Sequence, residues 1–426
     1  MEKKDQRYQD YIRVLKKELV PAMGCTEPIA IAYAAALARK IFDEPIERVD
    51  IYASGNIIKN VKSVVVPNTK GRKGMPIAAA IGIVAGDPDQ NLEVISKVSS
   101  AQQKELDDFL KDTIMEVHAM ECVHALEIEI IVSHGEHDCK VKVAQEHNNV
   151  VLIEKNKQIL FEKGICDKEQ SDPCYTSLSM EGIYEFAMCV DMEDVKDILQ
   201  RQIDYNTRIA EEGLAQNYGA GIANMLLQVY GDSVQIRARA MAAAGSDARM
   251  SGCELPVIIN SGSGNQGMSA SLPVIVYAKE LHSSKEDLYR ALLISNLSTI
   301  YQKQSIGRLS AYCGAVSAGA GAGAGIAYLL GGGYKDITHT IVNALAITSG
   351  IICDGAKPSC AAKIASAVDA GIMGCYMYRC GKQFYCGEGI VQKGIEATIE
   401  GVGELARKGM KETDQEIIEL MSKTKS

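Results

Sequence analysis

The 426-residue sequence has no tryptophan and only five phenylalanines. Nucleic acids are gripped by aromatic stacking and by clusters of Lys and Arg. Here the formal net charge is −9 and no basic run is interleaved with aromatics, so a nucleic-acid partner is excluded. No leader is expected. The opening MEKKDQRYQDYIRVLKKEL is a charged amphipathic helix without the apolar core and cleavage site of a signal peptide, and the expected location is the cytoplasm. No two cysteines are spaced CxxC, which removes zinc ribbons and thioredoxin motifs. Charge is absent from Leu309 to Tyr334, a length that could cross a bilayer. That stretch is mostly Gly and Ala, which gain little in lipid; it reads as a buried central helix, and no membrane partner is expected.

The chain does contain thirteen cysteines. In a reducing compartment they are no disulfide framework; they are core residues with a few metal-binding or catalytic thiols among them. Its length allows two or three domains. Residues 8–20 and 28–42 read as helices, with Pro28 at a helix start, where its missing N–H costs nothing. RVDIYAS, KSVVVP, ALEIEIIVS, KVKVAQE and NVVLIEK then read as strands, separated by the turns HGEHD, EHNN and EKNKQ. Helices are expected at 75–86 and 91–117. From about 181 to 420 the pattern is almost purely helical, except for short apolar runs such as LPVIIN. The expected fold is α+β: a mainly helical, small-residue-rich domain (1–48 and 175–426) and an inserted α+β domain with a mostly antiparallel sheet. The insertion covers 49–174 and ends in a turn-rich linker, CDKEQSDPCYTSLSM at 166–180. Both N-terminal helices are expected to pack with the C-terminal helices. So large an apolar helical domain points to a homo-oligomer.

Placement separates a few thiols from the rest. In CDGAKPSCAAKIASAV, Pro358 suits the first turn of a helix, so Cys360 lies where the dipole and unpaired N–H groups favour a thiolate. Cys353 sits just upstream in a Gly-containing loop, and Cys313 heads the Gly/Ala helix in AYCGAVSAG. These placements suit metal-ligating thiolates, but spacing alone leaves a cluster and buried thiols both open. Cys25, in GCTEP, precedes the Pro28 helix and should have a depressed pKa as a base or nucleophile. Glu27 competes with it for acid–base work or serves as a helix-start charge. NSGSGNQG carries a nominal GxGxxG at Gly262, Gly264 and Gly267, yet a dinucleotide fold would need alternating strands and helices, which are absent. What remains is an anion cradle, or a plain helix-entry loop. Asn68, Lys70, Arg72 and Lys73 read as an exposed turn, and His134, His137 and Cys139 as turn residues rather than zinc ligands.

Taken together, GCTEPIAIA, NSGSGNQG, AYCGAVSAGAGAGAG and CDGAKPSCAAKIASAV resemble the L-cysteine desulfidase family, related to the α chain of iron–sulfur L-serine dehydratases. The resemblance spans nearly the whole chain. It implies a 4Fe-4S cluster held by three cysteines, Cys313, Cys353 and Cys360, with one iron open, and Cys25 as catalytic base. The loop Ser261, Gly262, Ser263, Gly264, Asn265 and Gln266 would bind the carboxylate of a small amino-acid substrate. The SSSHT motif of the serine dehydratases proper is missing, which directs the expectation to L-cysteine, converted to pyruvate, ammonia and hydrogen sulfide by non-redox α,β-elimination. An L-serine dehydratase, a pyridoxal-phosphate lyase using Lys363, and a non-catalytic helical binding protein are the competing readings.

Overall fold

A computed structural model describes residues 1–120, 124–164, 173–307 and 309–423. The chain opens with α1 (Gln6–Glu18), β1 (Pro21–Met23) and α2 (Thr26–Phe42). There follow β2 (Arg48–Ala53), α3 (Gly55–Val61), α4 (Met75–Ala85), α5 (Ser100–Asp112) and β3 (Ile114–Ala119). Strands β4 (Glu127–His134), β5 (His137–Ala144), β6 (Val150–Lys155) and β7 (Gln158–Glu162) complete a six-stranded sheet. Its order is β3-β2-β4-β5-β6-β7, antiparallel except for the β2–β3 pair. The period-2 pattern explains its buried face: Val49 and Ile51 of β2, Ile128, Ile130 and Val132 of β4, and Cys139, Val141 and Val143 of β5 all point inward. Turns fall where the polar segments put them, with Gly135 and the pair Asn156–Lys157 at positive φ.

The remainder is helical: α6 (Pro173–Thr176), α7 (Met180–Cys189), α8 (Lys196–Ala215), α9 (Ile222–Tyr230) and α10 (Val234–Met250), then β8 (Pro256–Ile258) and α11 (Gly264–Glu280). Next come α12 (Lys285–Ile306), α13 (Gly314–Leu329), α14 (Tyr334–Thr348), α15 (Cys360–Arg379), α16 (Ile395–Glu404) and α17 (Lys411–Lys423). The uncharged Gly/Ala segment is α13, buried among α11, α12, α14 and α15. Small residues are required by the closeness of the backbones. A Cβ on Gly319 would lie 2.3 Å from the carbonyl oxygen of Ala367, and one on Gly371 would lie 2.0 Å from that of Gly319. Among the described residues no helix is long and apolar enough to cross a membrane.

The fold is therefore mainly helical α+β with a mostly antiparallel sheet, as expected, but several local expectations fail. KSVVVP is not a strand: Val65 makes only an isolated bridge to Lys73. Pro67 removes a ladder donor there, and Val64 and Val66 are buried as loop residues. Residues 91–117 do not form one helix. Asn91 takes a left-handed φ, a capping box at Ser99 and Gln102 starts α5 afresh, and β3 follows. Asn68 is buried rather than exposed, donating to the Ile95 carbonyl at 2.7 Å. Of the linker, 166–172 lies outside the described residues, while Pro173–Thr176 is helical with Cys174 buried. Finally, α1 packs with the C-terminal helices, setting Tyr8 and Tyr11 against Phe186, but α2 does not. Its Ala-rich surface lies on α4, β4 and β5, because small side chains let it sit close to the sheet.

The short β1–β8 pair places the site. Its register, Pro21 to Ile258 and Met23 to Pro256, brings the chain entering Cys25 beside the chain entering the Ser261 loop. Buried amides secure that loop: Asn206 brackets Ile258 through both its N–H and its carbonyl, and Asn260 donates to Asn296 at 3.0 Å.

Candidate active site

Four helices begin at one pocket. Cys25 is the N-cap of α2, Ser263 of α11 and Cys313 of α13, and Cys360 is the first residue of α15. None of the four has a side-chain cap. Their positive dipole ends thus face whatever enters the pocket. Cys25, Ser261, Gly262, Ser263, Asn265, Gln266, Cys313, Cys353 and Cys360 all line it. Gly264 does not, but it clears the space: a Cβ there would lie 2.4 Å from Nε of Arg249.

Cys313 and Cys353 meet through a backbone clasp at the Tyr312–Ile352 bridge. The interaction between their thiols splits their titration. The neighbouring Cys353 thiol and burial push Cys313 well above the ordinary thiol range. Cys353 is held below it by the Cys313 thiol, helped by the charges of Lys59 and Lys357 and by the Gly355 N–H. Burial pushes Cys360 up despite its helix start. The thiolate that helix-start placement favours at Cys360 is therefore not borne out, and of these three thiols it is Cys353 that is lowered.

Cys25 corrects a second expectation. Burial pushes its thiol up to about 12, against the opposing pull of Arg249. A helix start and one guanidinium do not outweigh complete desolvation.

The thiols fit an iron–sulfur cluster by donor chemistry, since soft thiolates around one cavity are its usual ligands. Uncapped helix starts would balance its negative charge. A single zinc ion does not fit. Tetrahedral Zn–S bonds of about 2.3 Å require sulfurs about 3.8 Å apart, and the three sulfurs do not all lie within 4.8 Å of one another. Among the described residues only Asp50, Glu116 and His118 meet that limit. Arg48 already pairs with both carboxylates, at 2.7 and 2.6 Å. Lys363 lines the pocket but is committed to Asp354 and, at 2.8 Å, to the Ile352 carbonyl, which disfavours a Schiff-base role. His134 and His137 pair with Glu47 and Glu44 at a hairpin turn, and Cys139 faces the core.

Sequence reasoning missed several lining residues: Arg249, Asn60, His147, Lys59 and Lys303. It also undervalued Glu27. Burial raises the Glu27 carboxyl, but the His147 imidazole 4.0 Å away and the Arg249 charge override this and hold it at about 2. Asn60 Nδ2 donates to Glu27 Oε1 at 2.9 Å. Buried polar atoms without a hydrogen-bond partner include several on the lining: Asn56 Oδ1, Asn60 Oδ1, Asn265 Oδ1, Gln266 Oε1 and the Tyr312 hydroxyl. Such atoms are costly unless a polar ligand satisfies them.

Relatives share this whole chain. A UPF0597 protein of Desulfitobacterium hafniense is 57% identical over 422 residues, covering 99% of this chain and 98% of the relative. Another, from Lachnoclostridium phytofermentans, is 52% identical over 414 residues, 97% of this chain and 99% of the relative. One from Finegoldia magna is 46% identical over 414 residues, again 97% and 99%. The family model described as serine dehydratase alpha chain matches residues 89–419. That span includes the three pocket cysteines and the Ser261 loop, whereas Cys25 and Glu27 precede it. With most of its length matched, the chain belongs to the serine dehydratase alpha chain family.

Proposed function

We propose that the chain is an iron–sulfur-dependent lyase that eliminates the β-substituent of a small amino acid, L-cysteine foremost. The observation that carries this reading is the convergence of Cys25, the Ser261–Gln266 loop, Cys313, Cys353 and Cys360 on one pocket. Cys313, Cys353 and Cys360 would hold a 4Fe-4S cluster, which supplies Lewis acidity at one open iron without net redox change. The N–H groups at the start of α11 orient the substrate carboxylate. Cys25 takes the Cα proton onto its sulfur. The Cα–Cβ double bond forms from that C–H pair as the Cβ–S bond breaks, and sulfur leaves with the bonding electrons. The aminoacrylate then hydrolyses to pyruvate and ammonia, with hydrogen sulfide as the other product. Anaerobic purification followed by iron, sulfide and pyruvate assays tests the reading. Protein that stays colourless after reconstitution and makes no pyruvate from cysteine or serine would overturn it.

The description of the matched family favours a second reading, dehydration of L-serine by the same steps with hydroxide leaving. Comparing kcat/KM for L-cysteine and L-serine on one preparation decides between the two.

A further inference from the structure

Arg249 and Glu27 are oppositely charged, buried (3% and 8% exposed) and on the lining of one pocket, yet they do not pair. Glu27 accepts from Asn60 at 2.9 Å and Thr26 at 3.1 Å and faces the His147 ring at 4.0 Å, while among the described residues Arg249 makes no ion pair. Its guanidinium has one hydrogen bond there, Nε to the Gly24 carbonyl at 2.9 Å. A buried guanidinium with one hydrogen bond and no ion-pair partner is an unfavourable arrangement by itself. A ligand carrying the complementary charges resolves it.

We propose that Arg249 and Glu27 are the two poles that hold the α-carboxylate and the α-ammonium of the substrate, making the pocket selective for α-amino acids over 2-hydroxy and des-amino acids. The proposal rests on the pocket being the elimination site, and it names the groups that recognise the substrate there. At the Arg249 pole, the guanidinium lies against the start of α11. A Cβ on Gly264 would be 2.4 Å from its Nε and 2.8 Å from its Cζ. The uncapped first turn, Gly264, Asn265 and Gln266, therefore offers N–H donors at the same place as the guanidinium. A planar, permanently charged fork beside backbone N–H groups is a carboxylate site.

The opposite pole is made of acceptors. Glu27 offers its carboxylate, and Asn60 turns its N–H2 to Glu27 Oε1, which leaves Asn60 Oδ1 without a partner beside the carboxylate. An ammonium group donates three hydrogen bonds and accepts none, and a hydroxyl in its place would bring no positive charge to the carboxylate. Cys25 lines the same pocket as Glu27 and Arg249, so a substrate held between the two poles is bound in the cavity that the Cys25 sulfur faces. Arg249 and Glu27 thus act as substrate-binding groups that also position the reacting carbon.

The test is equilibrium binding to the full chain, purified anaerobically, using three non-reacting probes: L-alanine, L-lactate and propionate. Wild-type protein should bind L-alanine about 30-fold or more tightly than L-lactate or propionate, the factor expected for a buried charge pair. Arg249→Gln should abolish L-alanine binding, and Arg249→Lys should restore part of it. Glu27→Gln should shrink the preference for L-alanine over L-lactate to a few-fold. Circular dichroism establishes that each variant is folded. Equal binding of L-alanine and L-lactate by the wild type, no binding of L-alanine, or unchanged L-alanine binding by folded Arg249→Lys and Glu27→Gln would each overturn the proposal. Iron and pyruvate assays on the same samples keep the two readings apart. A protein that discriminates as described but holds no iron and makes no pyruvate would sink the elimination reading alone.

Discussion

Cys313 and Cys353 are held together by their backbones rather than by their sulfurs. The N–H of Cys353 donates to the Ala311 carbonyl at 2.6 Å and the N–H of Cys313 to the Ile351 carbonyl at 3.1 Å, on either side of the Tyr312–Ile352 bridge. Removing a thiol should therefore spare the clasp. Cys353→Ser is expected to keep the wild-type circular dichroism and to melt within a few degrees of wild type, while bound iron and pyruvate formation fall together by at least tenfold. Full activity in the folded variant would remove Cys353 from the ligand set.

The second prediction separates two possible bases by pH. Cys25 has a pKa pushed up to about 12 by burial, whereas Glu27 is held at about 2. A base acts in its deprotonated form, so proton removal by Cys25 makes kcat/KM climb with pH through the neutral and alkaline range. Glu27 is ionised throughout that range and as base would give a flat profile between about pH 6 and 9. We expect the climbing profile, and Cys25→Ala should retain iron while losing turnover.

Glu27 also links stability to acid. Its folded pKa of about 2 lies below the ordinary 4.5. The stabilisation is thus present above about pH 4.5 and is lost as pH falls toward 2. A depression of this size corresponds to roughly 3 kcal/mol. Chemical unfolding at several pH values should show wild type losing about that much more than Glu27→Gln between pH 5 and 2. Parallel curves for the two proteins would contradict the assignment.

Local signals explain what the sequence disclosed. Pro358 and the following Ala-rich run mark a helix start at Cys360, and Gly/Ser before an apolar run marks the loop at Ser261–Gln266. Alternation made most of the sheet readable. Residues whose meaning lies across the fold were hidden. Arg249 stands in the last turn of α10, where a cation is favourable for purely local reasons, and its role depends on Gly24 and on Gly264. Asn60 and His147 reach Glu27 from α3 and from the β5–β6 turn, contacts that no periodicity records. The acidity of Cys353 likewise comes from Cys313 and Lys59, and the raised pKa of Cys25 from burial that a helix-start argument ignores.

The contact between α13 and α15 couples core packing to the site, because these helices carry Cys313 and Cys360 at their starts. Gly371 faces Gly319 backbone to backbone: a Cβ on Gly371 would meet the Gly319 carbonyl oxygen at 2.0 Å, and one on Gly323 would meet that of Gly371 at 2.4 Å. Gly→Ala inside a helix ordinarily gains up to about 1 kcal/mol. Here the obstacle is main chain, which cannot rotate away, so overpacking at about 1–3 kcal/mol should win. Gly371→Ala is expected to lower Tm and, by prising the helix starts apart, to lower the iron retained after anaerobic gel filtration. Gly401→Ala in α16 is the control, since its Cβ would meet nothing nearer than the Gln392 side chain at 3.7 Å; it should leave iron unchanged and stability equal or higher. A Gly371→Ala protein as stable and as iron-replete as wild type would show that the two helices tolerate separation, and that the small-residue seam does not set the spacing of the cysteines.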